Sequence, residues 1–310
     1  MADARRDFTL VYEGVDISDD VDVISCVLYD KSGEADLLDL KLDHADRWFA
    51  WKPQKNDRLR VSRSGFDSKD YFLSAVSPED GAYRIIASSQ RSVYAPRRWQ
   101  SYEDKTLYAI LNLCAAEKNM KSALYGLNGG LRYDYILREN ESAPEFMRRL
   151  CALEGACLKA VGGEYKAISI EYAQSLAPMH MVELDAKLLN ARYTREESPR
   201  LGSVKIETPY GCGLARDPAF SGPERVISGL CVQDDAQAWR WAKGILLQHN
   251  RKCELLELEM DFNPGYSALV RIDVNRGTDA AGGWLIEEVR HDLFRGRTRA
   301  KLLRCLAGIG

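Results

Sequence analysis

The chain has 310 residues, of which 45% are hydrophobic and 29% are charged. This composition is that of a globular protein rather than a disordered or fibrous one, and the length suffices for two or three domains. The net charge is −3, with 43 basic and 46 acidic residues mixed along the chain. That balance argues against a cationic surface that would bind the phosphates of nucleic acid as its main role.

The first ten residues, MADARRDFTL, turn polar at once and lack the apolar core of a signal peptide. The sequence contains no run of about 18 apolar residues, so it predicts no membrane-spanning helix. We therefore expect a protein that is made in the cytoplasm and does not enter a membrane.

Eight cysteines are scattered along the chain without a CxxC pair: Cys26, Cys114, Cys151, Cys157, Cys212, Cys231, Cys253 and Cys305. Their spacing fits neither a zinc ribbon nor a small disulfide scaffold. Most lie within apolar runs, so we expect reduced thiols that pack as small hydrophobic side chains. Disulfides formed in an oxidising medium stay open as an alternative, and Cys151 and Cys157 are the closest pair in sequence.

Residues 8 to about 89 alternate between apolar and polar side chains, as half-buried strands do. In DLLDLKLD, for example, Leu38, Leu40 and Leu42 alternate with charged residues. The alternation recurs in FTLVY, DRLRVSRS, YFLSAV and AYRIIA, with turn-forming residues between these segments. The pattern predicts five to seven antiparallel strands in a sandwich or a small barrel.

The period becomes helical after RSVYAPRRWQSYED, which we predict to be irregular. In the following segment the spacing i, i+3, i+4, i+7 predicts one buried helix face, formed by Leu107, Ile110, Leu111 and Cys114.

A second helix is predicted in ENESAPEFMRRLCALEG, residues 139–155. Ser142 and Glu145 form an S-x-x-E capping box, Pro144 lies in the first turn, and Gly155 is placed to end the helix. Its predicted buried stripe consists of Phe146, Leu150 and Leu153, widened by Met147 and Cys151. Two short strands around a Gly-Gly turn follow in CLKAVGGEYKAISIEY.

Strands return after about residue 180, in ELLELEMDF, ALVRIDV, WLIEEVRH and RTRAKLLRCL. One helix is inserted in DDAQAWRWAKGILLQHN, with Asp234 or Asp235 as its N-cap. The sequence thus predicts an α+β, mainly antiparallel β fold, in which two tube-like β-barrel or sandwich domains flank a small α+β module. The predicted domains are an N-terminal β domain (1–100), the module (101–178) and a C-terminal β domain with the inserted helix (179–310).

Few residues suggest chemistry. Glu141 and Glu145 could form an acid–base pair, yet both lie at a helix start, where carboxylates cap free N–H groups. His249 and Cys253 are spaced i, i+4 but have no third metal ligand and no nucleophile turn nearby. We therefore interpret both pairs as structural.

The remaining histidines and acidic runs are also interpreted as structural. His44 and His291 have carboxylate neighbours but lie in strand patterns. We interpret both as histidines at a surface or a sheet edge whose hydrogen bonds are satisfied. The context of His180 permits no assignment. The run DISDDVD lacks the spacing of a calcium loop and is predicted to be a polar hairpin turn.

Four glycine-rich pieces, GLNGG, VGGEY, YGCGLARD and AAGGW, match no phosphate- or dinucleotide-binding motif and are predicted to be hairpin turns. No G-x-S-x-G elbow occurs. We accordingly assign no catalytic, cofactor-binding or metal-binding residues, and we expect a protein that is not an enzyme.

Four segments in order resemble the baseplate hub proteins of contractile phage tails and related injection machines, the late control protein D family. They are VYEGVDISDDV with ADLLDLKLDHADRWFAW and KNDRLRV, then KTLYAILNLCAAEKNM, then ESAPEFMRRLCALEGACLK, and finally the C-terminal strands. These strands end in a Val-x-His pattern formed by Val289 and His291. The four segments cover most of the chain.

The resemblance implies a structural virion protein. Hubs of this kind are homotrimers in which each chain supplies two tube-like domains, so that three chains join a hexameric tail tube to a trimeric central spike. It also implies contacts with other baseplate (wedge) proteins and a channel through which DNA passes without sequence-specific binding. The sequence leaves two alternative interpretations. One is a distal tail or tail-tip adaptor of a non-contractile tail, and the other is an enzyme of the thiol or carboxylate type.

Overall fold

The computed structural model describes residues 8–43, 52–63, 65–79, 81–184, 190–196, 199–275 and 279–310. These residues form an α+β fold that is mainly antiparallel β, which confirms the predicted fold class. No helix in these ranges is long and apolar enough to span a membrane.

The described residues of the first third form eight strands, two of them only two residues long. They are β1 (Phe8–Tyr12), β2 (Val15–Asp16), β3 (Val23–Lys31), β4 (Leu37–Leu42), β5 (Arg58–Arg63), β6 (Phe66–Asp67), β7 (Tyr71–Glu79) and β8 (Ala82–Ser88). The alternation predicted these strands because one face is buried: Leu38, Leu40 and Leu42 of β4 are all inaccessible to solvent.

The middle third combines helices with two small sheets. Its elements are β9 (Arg98–Thr106), α1 (Leu107–Ala116), β10 (Lys121–Tyr125), β11 (Arg132–Glu141), α2 (Ala143–Leu153), β12 (Ala156–Val161), β13 (Glu164–Ser169) and α3 (Ile170–Ser175). Both predicted helices are present with the predicted buried residues. The segment that we predicted to be irregular contains β9, since its polar residues pair along β11 in a two-stranded ribbon.

The last third returns to strands around one long helix. Its elements are β14 (His180–Val182), β15 (Asn190–Arg195), β16 (Ser203–Thr208), β17 (Gly211–Arg216), β18 (Glu224–Ile227), α4 (Asp235–Asn250), a 3-10 turn (Arg251–Cys253), β19 (Glu254–Asp261), β20 (Arg271–Val274), β21 (Gly282–Asp292) and β22 (Arg297–Arg304). Asp234 is the N-cap of α4, and its side chain accepts a hydrogen bond of 2.7 Å from the Gln237 N–H.

One sheet runs through both β regions. Its strand order is β15-β19-β22-β21-β3-β4-β8-β7-β5-β1-β2, and β3 of the first third pairs antiparallel with β21 of the last. Within the described ranges this order does not close into a barrel, because β15 and β2 remain its two ends. The two β regions are therefore joined edge to edge by backbone hydrogen bonds.

Three hydrophobic cores lie around this sheet. One belongs to the N-terminal strands and one to the C-terminal strands. The third and largest combines α1, α2, β12 and β13 with α4, β16 and β17, so part of the last third packs on the middle module. The domain boundaries 1–100, 101–178 and 179–310 stay a prediction.

Glycines serve two different purposes in this fold. Gly155 has φ +68° directly after α2, the left-handed conformation that ends helices, as predicted. The Gly162-Gly163 pair forms the β12–β13 turn, also as predicted, with both φ angles positive. Gly211 and Gly213, however, lie within β17 rather than in a turn, because α4 approaches this strand too closely for a side chain.

The substitution Gly213→Ala is expected to lower the free energy of unfolding by about 3 kcal/mol or more. A methyl group at this position would lie 2.1 Å from the backbone nitrogen of Trp239, so α4 must move away from its sheet. Urea denaturation measures the effect. Gly229→Ala is the matched control, since a methyl group there meets no atom within 4 Å; an equal loss in both variants would contradict the close approach.

Candidate functional site

Glu141 and Glu145, which we interpreted as capping groups rather than as an acid–base pair, lie at the start of α2 and are engaged there. The capping box between Ser142 and Glu145 is present. Both the backbone N–H and the hydroxyl of Ser142 donate to Glu145 Oε2 at 2.8 Å, and the hydrogen bond from the N–H is the main cause that lowers the pKa of Glu145. Glu141 accepts two hydrogen bonds of 2.9 Å from Arg149. Both groups thus hold the helix start in place.

His249 and Cys253 occupy separate environments at the end of α4. The Nε2 atom of His249 lies 2.5 Å from the carbonyl oxygen of Pro199. Cys253 is buried, and burial raises the pKa of its thiol, so it is a poor nucleophile. The pair is a junction between helix and strand, as we interpreted it.

His291 is buried rather than at a surface or an edge, which corrects that part of the sequence interpretation. Its Nδ1 lies 2.9 Å from Thr298 Oγ1, its Nε2 lies 2.9 Å from the Tyr266 carbonyl oxygen, and burial lowers its pKa. β21 is an interior strand of the sheet, and His291 lies on the same face of this strand as the buried Val289, so its side chain is directed into the core. His180 stacks on Tyr266 at 4.9 Å between ring centroids. His44 lies outside the described residues.

The acidic run DISDDVD forms a polar turn after β2, but not the predicted hairpin turn, because β2 pairs with β1 while the next strand, β3, pairs with β4. Asp16 accepts hydrogen bonds from the backbone N–H and the hydroxyl of Ser18, which lower its pKa. Across the described ranges, the structure contains no group of three or more histidine, cysteine, aspartate or glutamate side chains that could hold a metal ion.

All eight cysteines have free thiols. Cys26, Cys114, Cys151, Cys157 and Cys253 are buried, Cys305 is half-buried, and Cys212 and Cys231 are exposed. Burial raises the pKa of Cys151 on α2, which makes it a packed thiol of the middle core.

An ionic cluster that we did not predict lies where β3, β4 and β12 meet. Lys159 of β12 forms a buried ion pair with Asp30 of β3, and its Nζ also lies 3.6 Å from Oδ1 of Asp36, the residue before β4. Burial and the nearby Asp30 carboxylate raise the pKa of Asp36 to about 8. At neutral pH the lysine therefore balances one carboxylate, while Asp36 is largely protonated.

Hydrogen bonds extend this cluster to all three parts of the chain. Asp30 Oδ2 accepts from the hydroxyl of Ser267 at 2.8 Å and from the N–H of Ala268 at 3.0 Å, both in the last third. Ser89 donates to the carbonyl oxygen of Ala160 at 2.6 Å and accepts from the Asp36 N–H at 3.0 Å. The sequence signal for the cluster is the lysine inside the apolar run CLKAV. A buried strand tolerates a lysine only when a carboxylate pairs with it.

The solvent-facing side of the sheet forms one polar face over eight strands, from β15 through β21 and β3 to β7. Its charged residues are Lys31, Lys41, Arg84, Arg192, Arg290, Arg297, Arg299 and Lys301, with Asp39, Glu79, Glu257, Glu259, Asp261, Glu288 and Asp292. Cross-strand ion pairs include Arg84 with Asp39 at 2.8 Å and Arg299 with Glu259 at 3.1 Å. Basic and acidic side chains are thus nearly equal in number on this face.

A groove of about 510 Å³ lies on this face in the C-terminal strands. Charged side chains form most of its lining: Arg192, Glu257, Glu259, Glu288, Arg290, Arg299 and Lys301. Small-molecule and substrate pockets are mostly apolar with a few polar groups, so this lining fits a wet surface better than an active site.

Comparison with solved structures gives close fold matches. The 43 kDa tail protein of prophage MuSo2 from Shewanella oneidensis superposes with a TM-score of 0.69 at 14% identity, with 96% of each chain covered. A tail protein from Neisseria meningitidis gives 0.72 at 12% identity, again with 96% of each chain. This chain has the fold of phage tail proteins.

A third match extends the fold to secretion machines. The c3393 protein of E. coli, a component of the type VI secretion system with structural similarity to the T4 tail proteins gp27 and gp5, gives a TM-score of 0.60 at 12% identity, covering 93% of this chain and 74% of that one. No protein-family profile and no curated protein sequence matches the chain.

The pH dependence of stability should reveal the ionic cluster. The pKa of Asp36 rises from 3.8 to about 8 on folding. Between these values the unfolded chain releases a proton that the folded chain keeps, so the group's stabilising contribution is complete below pH 4 and is lost by about pH 8. We expect Asp36→Asn to flatten the fall in unfolding free energy across this window, measured by urea denaturation at several pH values. Asp261→Asn, at an exposed carboxylate, is the control, and parallel curves for wild type and Asp36→Asn would contradict the assignment.

A substitution of Lys159 tests the same cluster through its cation. Lys159→Met leaves the Asp30 carboxylate buried without its cation, which should cost roughly 3–5 kcal/mol of unfolding free energy at neutral pH. The substitution Lys301→Met, on the polar face, is the matched control and should change stability by less than about 0.5 kcal/mol. Equal small losses in both variants would contradict the expectation that Asp30 needs Lys159 as its buried partner.

Proposed function

We propose that the protein is the baseplate hub of a contractile tail or a related injection particle, a structural component without enzymatic activity. In this role three copies form a ring that joins a hexameric tail tube to a trimeric spike. The observation that carries the proposal is the single sheet in which two β units lie edge to edge within one chain. The fold matches to phage tail proteins and to a type VI secretion component support it.

The arrangement of the two units suits a symmetry adaptor. Each unit has its own hydrophobic core and contributes four strands to the eight that carry the polar face. Three chains would supply six such units, enough to match a sixfold tube on one side while the ring itself is threefold. Closed cyclic symmetry requires one edge of a protomer to meet a different edge of the next, and the two ends of this sheet differ.

The polar face is the surface that we assign to the channel. Its side chains are charged and hydrated, and opposite signs alternate in cross-strand ion pairs. A surface with nearly balanced charge attracts a polyanion such as DNA only weakly, so DNA or another elongated cargo can move past it. The partners that follow are the tube protein above, the central spike below and wedge proteins outside, with the virion as the final location.

Mass and symmetry in solution test this proposal. We expect a particle of about 105 kDa from three chains of 35.0 kDa, measured by light scattering, and a threefold ring with a central channel in electron micrographs. Co-expression with a trimeric spike protein of the same particle should increase the ring population, because a trimeric partner binds only the assembled form. A protein that stays monomeric both alone and with the spike would overturn the hub assignment.

A further inference from the structure

The charged side chains of the polar face form rows that run across the strands β19, β22, β21 and β3. Two of these rows alternate in sign. One row is Glu257, Lys301, Glu288 and Lys31, and the other is Asp261, Arg297 and Asp292. Opposite charges that lie directly across from each other stabilise a sheet, so both rows are compensated within the chain.

The row between these two breaks the alternation. Arg299 of β22 lies directly opposite Arg290 of β21, and like charges in such positions destabilise a sheet. Glu259 of β19 pairs with Arg299 at 3.1 Å. Arg290 forms no ion pair within the described ranges, and its buried Nε atom has no hydrogen-bond partner there. Its guanidinium group lies 5.9 Å from the ring centroid of Tyr29, which is the next residue of the row on β3.

The first β unit contains the equivalent row. Strands β4, β8 and β7 correspond to β19, β22 and β21, because LLDLKLD at 37–43 and LLELEMD at 255–261 occupy β4 and β19 with the same alternate positions buried. The pairing also shifts by one residue at matching places in β7 and β21. The row Glu259, Arg299, Arg290 of the second unit therefore corresponds to Lys41, Arg84, Ser77 of the first.

In the first unit a carboxylate bridges two cations that face each other. Lys41 lies directly opposite Arg84, and Glu79 accepts a hydrogen bond from each of them, at 2.8 Å and 3.2 Å. In the second unit no carboxylate of the described chain bridges Arg290 and Arg299 in this way, since Glu259 pairs with Arg299 alone. The second unit thus presents two facing guanidinium groups where the first presents a closed ion-pair network.

A small cavity opens beside these two arginines. Its volume is about 80 Å³, and its lining consists of Glu259, Arg290, Asp292, Arg295, Arg297 and Arg299. The arginines exceed the carboxylates by two positive charges. Arg295 is held in the turn between β21 and β22, where its N–H donates to Asp292 Oδ1 at 2.8 Å. Pockets for small molecules measure roughly 300–1,000 Å³, so this cavity suits one tetrahedral anion rather than a base or a cofactor.

We propose that this cavity binds one phosphate group of a nucleic-acid backbone, held between Arg290 and Arg299 with Arg295 at the rim. The inference deepens the proposed function, on which it rests for the presence of DNA in the channel. Planar guanidinium groups present paired N–H donors that match the oxygens of a phosphate. The phosphate bridges two facing cations, as Glu79 bridges Lys41 and Arg84 in the first unit.

The carboxylates of the lining restrict the charge of the ligand. Glu259 and Asp292 repel anions, so the site has to attract its ligand with a local excess of two positive charges. A phosphate monoester carries a charge of about −1.5 to −2 at neutral pH, whereas each phosphate of a nucleic-acid backbone carries a single negative charge. The singly charged phosphodiester therefore fits this lining better than free phosphate.

Three copies would place three such sites at one level of the ring. The first unit carries Ser77 at the position of Arg290 and bridges its cations itself, so it adds no further site. Contacts to the backbone carry no sequence information. The channel would then hold DNA of any sequence at this level, while the balanced charge elsewhere on the face lets it slide.

Binding of a short fluorescein-labelled DNA duplex, measured by fluorescence anisotropy at several salt concentrations, tests the site. We expect Arg290→Gln to weaken binding about tenfold at low salt and to lower the slope of log association constant against log salt by about 1. Duplexes of unrelated sequence should give the same loss. Arg84→Gln is the matched control, because it removes one charge from the same face at a cation that Glu79 already bridges, and it should bind as wild type does.

A carboxylate introduced into the row gives a second, independent measurement. Tyr29→Glu places this group directly opposite Arg290, so it should abolish duplex binding and raise the urea midpoint of unfolding by relieving the repulsion. Tyr29→Gln, without the charge, is its control and should do neither. Arg290→Gln should leave the urea midpoint at or above that of wild type, whereas an arginine with a merely structural role would lower it when replaced.

Competitors identify the ligand. Inorganic phosphate should displace the duplex only at a far higher concentration than unlabelled duplex does, counted per phosphate, and poly-glutamate should not displace it. Displacement by inorganic phosphate at equal concentration would assign the site to free phosphate, and displacement by poly-glutamate would assign it to an acidic polypeptide. Either result overturns the nucleic-acid backbone as the ligand.

The outcomes separate this inference from the hub assignment, because the site lies within one chain. A threefold ring in which wild type and Arg290→Gln bind the duplex equally overturns the site and leaves the hub in place. A chain that stays monomeric with the spike, yet loses duplex binding in Arg290→Gln and not in Arg84→Gln, establishes the site and overturns the hub.

Discussion

The pairing of β3 with β21 is the contact on which the rest of the structure depends. It joins Val27–Lys31 to Glu288–Asp292, segments from opposite ends of the chain, and so makes one sheet from two β units. Because the side-chain period of a strand is two, this register also decides that both polar sides lie on the same face. A slip of one residue would place charged side chains of one unit next to the core of the other.

The ionic cluster lies on the core side of that pairing. Asp30 is a residue of β3 within it, and Lys159 approaches from the middle module. Burial of one lysine with two carboxylates contributes little net stability, since the desolvation cost offsets most of the attraction. Its effect is on specificity: only the correct placement of β3, β12 and the Ser267–Ala268 segment gives Asp30 both its cation and its two hydrogen-bond donors.

Local features of the structure were predictable from the sequence. The α1 and α2 faces, the capping box and the Gly162-Gly163 turn each follow from spacing within a few residues. Contacts between distant segments were not: the β3–β21 pairing, the Asp30–Lys159 pair and the packing of α4 on Gly213 leave no local periodicity. The repeated LLDLKLD and LLELEMD was visible in the sequence, but only the registers of β4 and β19 show that these segments are equivalent.

The bulges in β7 and β21 divide each strand into two parts that differ in what lies along one edge. Before the bulge each strand pairs with β5 or β20 and completes its own unit. After the bulge β21 pairs with β3, whereas residues 75–79 of β7 have no strand on that edge within the described ranges. An exposed edge invites pairing with any strand, and Pro78 reduces that risk by removing a donor from β7. The equivalent position in β21 is His291, whose edge is covered by β3 inside the chain and needs no such protection.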